Sequence, residues 1–383
     1  MGDRATGKLL TERSAERKET LNELIRLEIF DMEKAGSPSA LEKAINELDI
    51  SEVVDEYEDM LEELYFSRNA PHKFQYRTAK EIPAYNDFVK DLFGARPLWK
   101  TGTWVYYPWS KKLIHFLPKE MHNELRTSRN KNLITHEEQE KFRKFRVGIA
   151  GLSIGQSVAY TLAVNGGCET MHLADLDVIT ATNTNRIRAS FDAIGLNKAI
   201  YISRIIQEMN PYAKLKLFVD GLTKENSDEF FEGIDAVIDE VDHFPTKLMI
   251  REEAKRRNIP VLMSSDVENS AVLDIERYDL SPSQKFFNGK LDTDDLKLLR
   301  SPQIDPQTMG TIFVKIVGQE SVSRKLQESI VLLGRELAGP PQLGSTAFLS
   351  GIALTYALLK ISCGETLPSS SIKIDLDTHF LKS

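Results

Sequence analysis

The chain has 383 residues, 41% hydrophobic and 28% charged, the make-up of an ordinary globular protein with material for one large or two modest cores. A net charge of −8 argues against nonspecific nucleic-acid binding, so no nucleic-acid partner is expected, and no apolar run approaches a membrane span. The N-terminus, MGDRATGKLLTERS, lacks an apolar signal core, so the expected location is cytoplasmic, with no membrane partner.

Residues 13–67 read as helical, because Leu21, Leu24, Ile25, Leu27, Ile29 and Phe30 recur at largely helix-like intervals. Gly36-Ser37-Pro38-Ser39 breaks the run and offers Ser37 or Ser39 as an N-cap. Residues 41–64 carry one apolar stripe and a strongly acidic remainder, including Glu52, Asp55, Glu58 and Glu62. That is a solvated helix face or, alternatively, a docking face for a partner. From Trp104 to Pro118 the pattern changes to strands (TWVYYPW, a Ser-Lys-Lys turn and LIHFLP), which predicts a β-hairpin, followed by a helix over residues 119–126. A hairpin leading into a helix is how small peptide-clamp modules begin; a purely structural appendage is the plainer alternative.

Residues 146–198 carry the chemistry. RVGIA predicts a strand that ends in the turn Gly151-Leu152-Ser153-Ile154-Gly155, a helix follows through Leu162, and a second apolar run ends at Asp175-Leu176-Asp177. A strand, glycine turn, helix and strand with an acid about twenty residues after the glycines is the layout of a nucleotide-binding βαβ unit. The turn by itself is ambiguous, since it lacks one residue of G-x-G-x-x-G and also fits the G-x-S-x-G nucleophile elbow of hydrolases. A nicotinamide dehydrogenase would account for the glycines and Asp175 but not for Arg186 and Lys198. A structural βαβ unit with solvated charges is the plainer alternative.

Further apolar runs at residues 215–219, 236–238 and 261–263 extend the sheet, and Asp242 follows the second of them in IDEVDH. Asp239 and Glu240 compete with Asp242 for any metal role, and the part of His243 is open. Residues 281–310 are polar and broken by prolines, the pattern of a crossover loop or lid. A helical run over residues 320–337, a last helix rich in Gly344, Ser345, Ala347, Ser350 and Gly351, and a final strand at residues 372–376 complete the chain. The expected architecture is α/β: a Rossmann-like, mainly parallel sheet flanked by helices, with an N-terminal helical and β-hairpin extension. The two cysteines, Cys168 and Cys363, have no partners at metal-ligand spacing, so a zinc site is not expected and both read as packing residues.

The ordered set from Arg126 to about Asp279 resembles the ThiF/MoeB family of adenylating enzymes, relatives of the ubiquitin-activating enzymes. The elements that carry the resemblance are Arg126 and Arg129, the turn Gly151 to Gly155, Asp175 and Asp177, Asn183 and Arg186, Gly195 and Lys198, Asn210-Pro211, and Asp242, with Pro341-Gln342-Leu343-Gly344 before the closing helix. The resemblance implies residues 1–125 as an N-terminal region able to bind peptide and residues 126–383 as an adenylation domain, with 281–340 as its crossover or lid. It implies ATP and Mg2+ as cofactors. Gly151, Ser153, Gly155, Asp175, Asn183, Asn185, Arg186 and Lys198 would contact nucleotide, with Arg186 and Lys198 on the phosphates, and Asp242 would be the metal ligand. Arg129 would reach across a homodimer to the γ-phosphate. The long N-terminal region, without a thioester cysteine or zinc, resembles the peptide-modifying branch of microcin and pantocin type. A ribosomally made precursor peptide is then the expected partner, its carboxylate adenylated and attacked by an amide or amine. Activation of a small ubiquitin-like or sulfur-carrier protein is the alternative, and a non-catalytic nucleotide-binding scaffold is a third reading.

Overall fold

A computed structural model describes residues 2–23, 26–301 and 304–381. The chain forms two compact units, Glu23–His136, and Met1–Asn22 with Glu137–Ser383. The division therefore falls between His136 and Glu137 rather than at 125/126, and the first 22 residues group with the larger unit.

The smaller unit holds a four-stranded sheet. Its strands are β1 (Glu28–Asp31), β2 (Glu52–Val54), β3 (Thr103–Tyr107) and β4 (Lys112–Phe116), in the order β1-β3-β4-β2. The predicted hairpin is β3–β4, with Thr103 opposite Phe116, and the helix Lys119–Arg126 follows it. The expectation of helix across residues 13–67 is corrected at two places. Leu27, Ile29 and Phe30 belong to the approach and body of β1, which pairs antiparallel with β3, and Glu52–Val54 pairs parallel with β4. Short apolar runs satisfy both periods, and here partners some sixty to eighty residues downstream decide the outcome (Glu28 opposite Tyr106, Glu52 opposite Lys112). Leu24 and Ile25 lie outside the described residues. Neither Ser37 nor Ser39 caps the helix Ser37–Glu47; Gly36, at φ +87°, is the residue before it. Phe30, Leu41, Trp104 and Leu113 form one core beneath the sheet, and Tyr57, Leu61, Leu64 and Leu117 another. Among the acidic residues of the helix Tyr57–Arg68, Glu62 is held internally, accepting from Thr78 Oγ1 at 2.9 Å and the Ala79 amide at 3.0 Å.

The larger unit is built on seven strands: β5 (Arg146–Ala150), β6 (Thr170–Ala174), β7 (Lys214–Phe218), β8 (Ala236–Asp239), β9 (Val261–Val267), β10 (Ser270–Glu276) and β11 (Ser370–Asp375). Their order is β11-β10-β9-β8-β5-β6-β7. The five strands from β9 to β7 run parallel, and β10 and β11 add an antiparallel edge. This is the α/β fold expected. Because the β5-to-β6 connection leaves on one side and β8 pairs on the other side of β5, strand order reverses at β5, where open α/β sheets bind ligands beyond their carboxyl ends. Helices Gly155–Val164, Lys198–Met209 and Gly344–Ser362 cover one face through Leu162, Ile202, Leu354 and Leu358.

The described part of residues 281–310 holds more regular structure than a polar lid. It includes the helix Thr293–Leu298 and the start of Pro306–Val317, and Phe287, Leu291, Leu299 and Ile312 pack on Leu248 and Met263. The expected helical run over residues 320–337 divides into a turn, Gln319–Ser321, and a helix, Arg324–Leu332. The last helix, Gly344–Ser362, also corrects the reading that no apolar run approaches span length: it is long and apolar enough by composition, with mean hydropathy 1.3, but 56% of that stretch is buried inside the fold. Its Ser350 hydroxyl accepts from Ser264 Oγ of β9 at 2.8 Å, a contact of core helix with sheet.

Candidate active site

The glycine turn exists because the chain must pass very close to its neighbour. Gly151 adopts φ +84°, and a Cβ there would stand 2.2 Å from the carbonyl oxygen of Glu240. Only glycine tolerates both the left-handed backbone and that approach. The turn delivers the chain into helix Gly155–Val164 at the carboxyl end of β5.

Asp175, immediately after β6, is 8% exposed and organises the turn. Its Oδ2 accepts from the Leu152 amide at 2.6 Å and its Oδ1 from the Asp177 amide at 2.8 Å. Burial pushes its carboxyl above the usual range, opposed by Lys198 and by these two amides. Lys198 opens helix Lys198–Met209 yet is itself buried, unlike an ordinary surface lysine. Its ammonium lies 2.8 Å from Asp177 Oδ2 and 3.8 Å from Asp175 Oδ2. Asn197 holds that helix start, accepting from the Ala199 and Ile200 amides while its Nδ2 donates to the carbonyls of Asp175 and Val219. A lysine is thus fixed beside the glycine turn by two carboxylates, each able to accept further hydrogen bonds.

Arg186 donates from Nε to Ser153 Oγ at 3.0 Å and from Nη1 to Asn185 Oδ1 at 3.1 Å. The Ser153 hydroxyl therefore faces a guanidinium rather than a histidine, which is not the constellation of a nucleophile elbow. Asn183 completes a capping box with Thr180, its Oδ1 accepting from the Thr180 amide at 3.1 Å. Asn185 is exposed and donates to the Gln342 carbonyl at 2.9 Å.

Beyond β8, the three competing acids separate by environment. Asp239 is fully buried; burial pushes its carboxyl up, but Lys247 and Arg251 outweigh that and hold it below the usual range. Glu240 is buried, accepts from the Ser264 amide at 2.8 Å, and is driven well above the usual range by desolvation. Asp242 is exposed. His243 is exposed too, its Nδ1 2.9 Å from Thr246 Oγ1. Arg126 ends the helix Lys119–Arg126, and Arg129 sits in the turn Ser128–Asn130, both in the smaller unit.

Two polar residues at this edge had no role assigned from sequence. Asp266, near the end of β9, is pushed up to about 6 by burial, against the Gln342 hydrogen bond and the positive charge of Arg186, with Asp242 adding to the rise. Gln342 donates to Asp266 Oδ1 at 3.3 Å. An acid at the carboxyl end of a buried parallel strand was the available signal for Asp266. Cys168 is buried and Cys363 half-buried; burial pushes both thiols up, away from the thiolate a nucleophile needs. Among the described residues no group of three or more His, Cys, Asp or Glu has a metal-holding arrangement.

Residues 127–285 match the model of the ThiF family. Over 312 residues it is 36% identical to Uncharacterized protein MT1398 of Mycobacterium tuberculosis, an alignment covering 78% of this chain and 43% of that protein. It is 29% identical over 182 residues to the tRNA threonylcarbamoyladenosine dehydratase of Bacillus subtilis, covering 44% of this chain and 70% of that enzyme. The chain thus spans under half the length of the first of these relatives. Among solved structures, Escherichia coli MccB with ATP is similar with TM-score 0.46 and 19% identity, covering 68% of this chain and 71% of that one.

Proposed function

We propose that this protein adenylates a carboxylate with ATP and that an amide or amine then displaces AMP. The observation that carries the reading is the buried Lys198, fixed by Asp175 and Asp177 against the glycine turn, with Arg186 anchored to Ser153 in the same turn. In this reading the turn's backbone and the helix start at Gly155 receive phosphate, and the remaining lone pairs of Asp175 take the ribose hydroxyls. Arg186 and Lys198 draw charge from the bridging and leaving oxygens as the substrate carboxylate attacks the α-phosphorus. The P–O bond to pyrophosphate breaks and an acyl-adenylate forms. No covalent nucleophile of the protein is needed, which suits two cysteines held as buried or half-buried thiols. ThiF family members are adenylyltransferases, and this supports the same assignment.

Magnesium fits the donors on this edge: Asp239 and Glu240 are buried within the fold, while Asp242 presents an exposed carboxylate. One or two carboxylates with nucleotide phosphates and water is the usual magnesium setting, and the bound ion would neutralise phosphate charge.

For the substrate we favour a ribosomally made precursor peptide, docked on the smaller unit with its hairpin β3–β4. Attack by a neighbouring amide or amine on the activated carboxylate expels AMP, with net loss of one water from the peptide. The name of the Bacillus subtilis relative, a dehydratase, supports a dehydrative outcome. The reading includes a homodimer in which Arg129 serves the second copy's nucleotide. The test is ATP–pyrophosphate exchange with candidate peptides and, separately, with diglycine-tailed carrier proteins. Peptide-dependent exchange and a product lighter by one water are expected. Exchange only with a carrier protein would move the assignment to carrier activation, and tight ATP binding without exchange for any carboxylate would make the protein a scaffold.

A further inference from the structure

The stretch before the closing helix does more than connect. Gln342 is half-buried and joins two elements through different atoms. Its backbone carbonyl accepts from Asn185 Nδ2 at 2.9 Å, and its side-chain amide donates to Asp266 Oδ1 at 3.3 Å. Two residues on, Gly344 lies so close that a Cβ would sit 2.3 Å from the Asn185 carbonyl oxygen. Asn185 in turn accepts from Arg186 Nη1, and Arg186 Nε donates to Ser153 of the glycine turn. A continuous chain of hydrogen bonds therefore runs Asp266, Gln342, Asn185, Arg186, Ser153, from the end of β9 to the end of β5. Asp266 Oδ2 is buried with no partner among the described residues, so Gln342 is the neutral side chain that holds this carboxyl in place.

The consequence falls on Arg186. Its Nε and Nη1 are engaged by Ser153, Asn185 and the Thr182 carbonyl, while Nη2 has no hydrogen bond among the described residues. An arginine fixed on two of its three nitrogens presents the third in one direction, and its rotamer entropy is spent before a ligand arrives. We propose that Gln342 is a positioning residue, a strap that pins the Arg186 loop to β9 so that Nη2 is aimed for nucleotide phosphate. This rests on the nucleotide site proposed above and adds to it the element that orders the arginine.

Titration calorimetry with MgATP, paired with ligand-observed NMR of adenosine, tests the strap. Gln342→Ala and Asn185→Ala are each expected to weaken MgATP binding about tenfold, as expected from losing preorganisation of one charged side chain. Adenosine affinity should change less than twofold, because the strap touches the phosphate end only. The double variant should bind no more weakly than the worse single one, since both cut the same chain. Asp266→Ala should behave like Gln342→Ala, and Asp266→Asn, which keeps an acceptor for Gln342, should restore binding. Equal loss for adenosine and MgATP would show a merely structural residue, and unchanged MgATP affinity in Gln342→Ala would overturn the strap outright. Failure of the wild-type protein to bind MgATP would instead remove the nucleotide site, and the strap with it.

Discussion

Arg251 is the largest fully buried side chain among the described residues, and replacing it with methionine makes the sharpest stability prediction. Its Nη1 lies 2.5 Å from Asp239 Oδ2, and its Nε lies 2.9 Å from Glu276 Oε1 without the alignment of a hydrogen bond. The guanidinium also stacks 3.7 Å from the Phe287 ring centroid. Burial disfavours its charge, but Glu276 and Asp239 outweigh that and keep it protonated. Arg251→Met preserves volume but leaves two buried carboxylates facing each other's field, with only Lys247, 3.3 Å from Asp239 Oδ1, to compensate. Breaking a buried pair of this kind costs about 3–5 kcal/mol, a large share of the 5–15 kcal/mol that holds a typical domain together. Urea denaturation followed by circular dichroism should show a loss in that range, and adding Asp239→Asn and Glu276→Gln should recover most of it. A single-variant loss below about 1 kcal/mol would mean that the two acids are protonated in the native state, and the argument for a compensated charge cluster under β8 would fail.

Three further outcomes follow from the geometry. Gly151→Ala forces a Cβ onto the Glu240 carbonyl at a positive φ, so it should destabilise by at least about 1–3 kcal/mol and abolish nucleotide binding; a variant with wild-type melting and affinity would contradict the turn's role. Arg186→Lys keeps the charge but loses the fork that bonds Ser153 and Asn185, and should slow pyrophosphate exchange about 10–100-fold without lowering the melting temperature. His172 is buried on β6, its Nδ1 2.6 Å from the Phe230 carbonyl, among Lys216, Glu229 and Glu232; burial lowers its pKa. The unfolded chain therefore takes up a proton near its ordinary value of about 6.5 that the native state resists, so stability is full above that pH and falls as the pH drops below it. His172→Gln should flatten that part of the pH–stability curve, and an unchanged slope would sink the assignment.

The parts of the fold legible in sequence were those specified locally. β5, the glycine turn and β6 follow from an apolar run, a residue that must adopt positive φ, and a second apolar run. The hairpin β3–β4 is written in its aromatic and β-branched residues. The strands at Glu28–Asp31 and Glu52–Val54 were not legible, because their helix-compatible spacing is overruled by partners far along the chain. The hairpin β9–β10 was not legible, because its turn Glu268-Asn269 places glutamate rather than glycine or asparagine at the positive-φ position, Glu268 at φ +54°. Beside the glycine turn, Asp175 could be singled out from its spacing to the glycines, and Arg186 and Lys198 through the family resemblance. Lys198's burial against two acids could not, since it depends on loops closing over it. Asp266 and Gln342 become neighbours only when β9 and the closing helix meet, 76 residues apart.

The central claim is that the residues around the glycine turn grip magnesium nucleotide. It is tested most directly by titrating MgATP into the wild-type protein and into Lys198→Met. Saturable binding by the wild type, lost in the variant while its fold persists by circular dichroism, is the predicted result; no binding by the wild type, or equal binding by both, would contradict it.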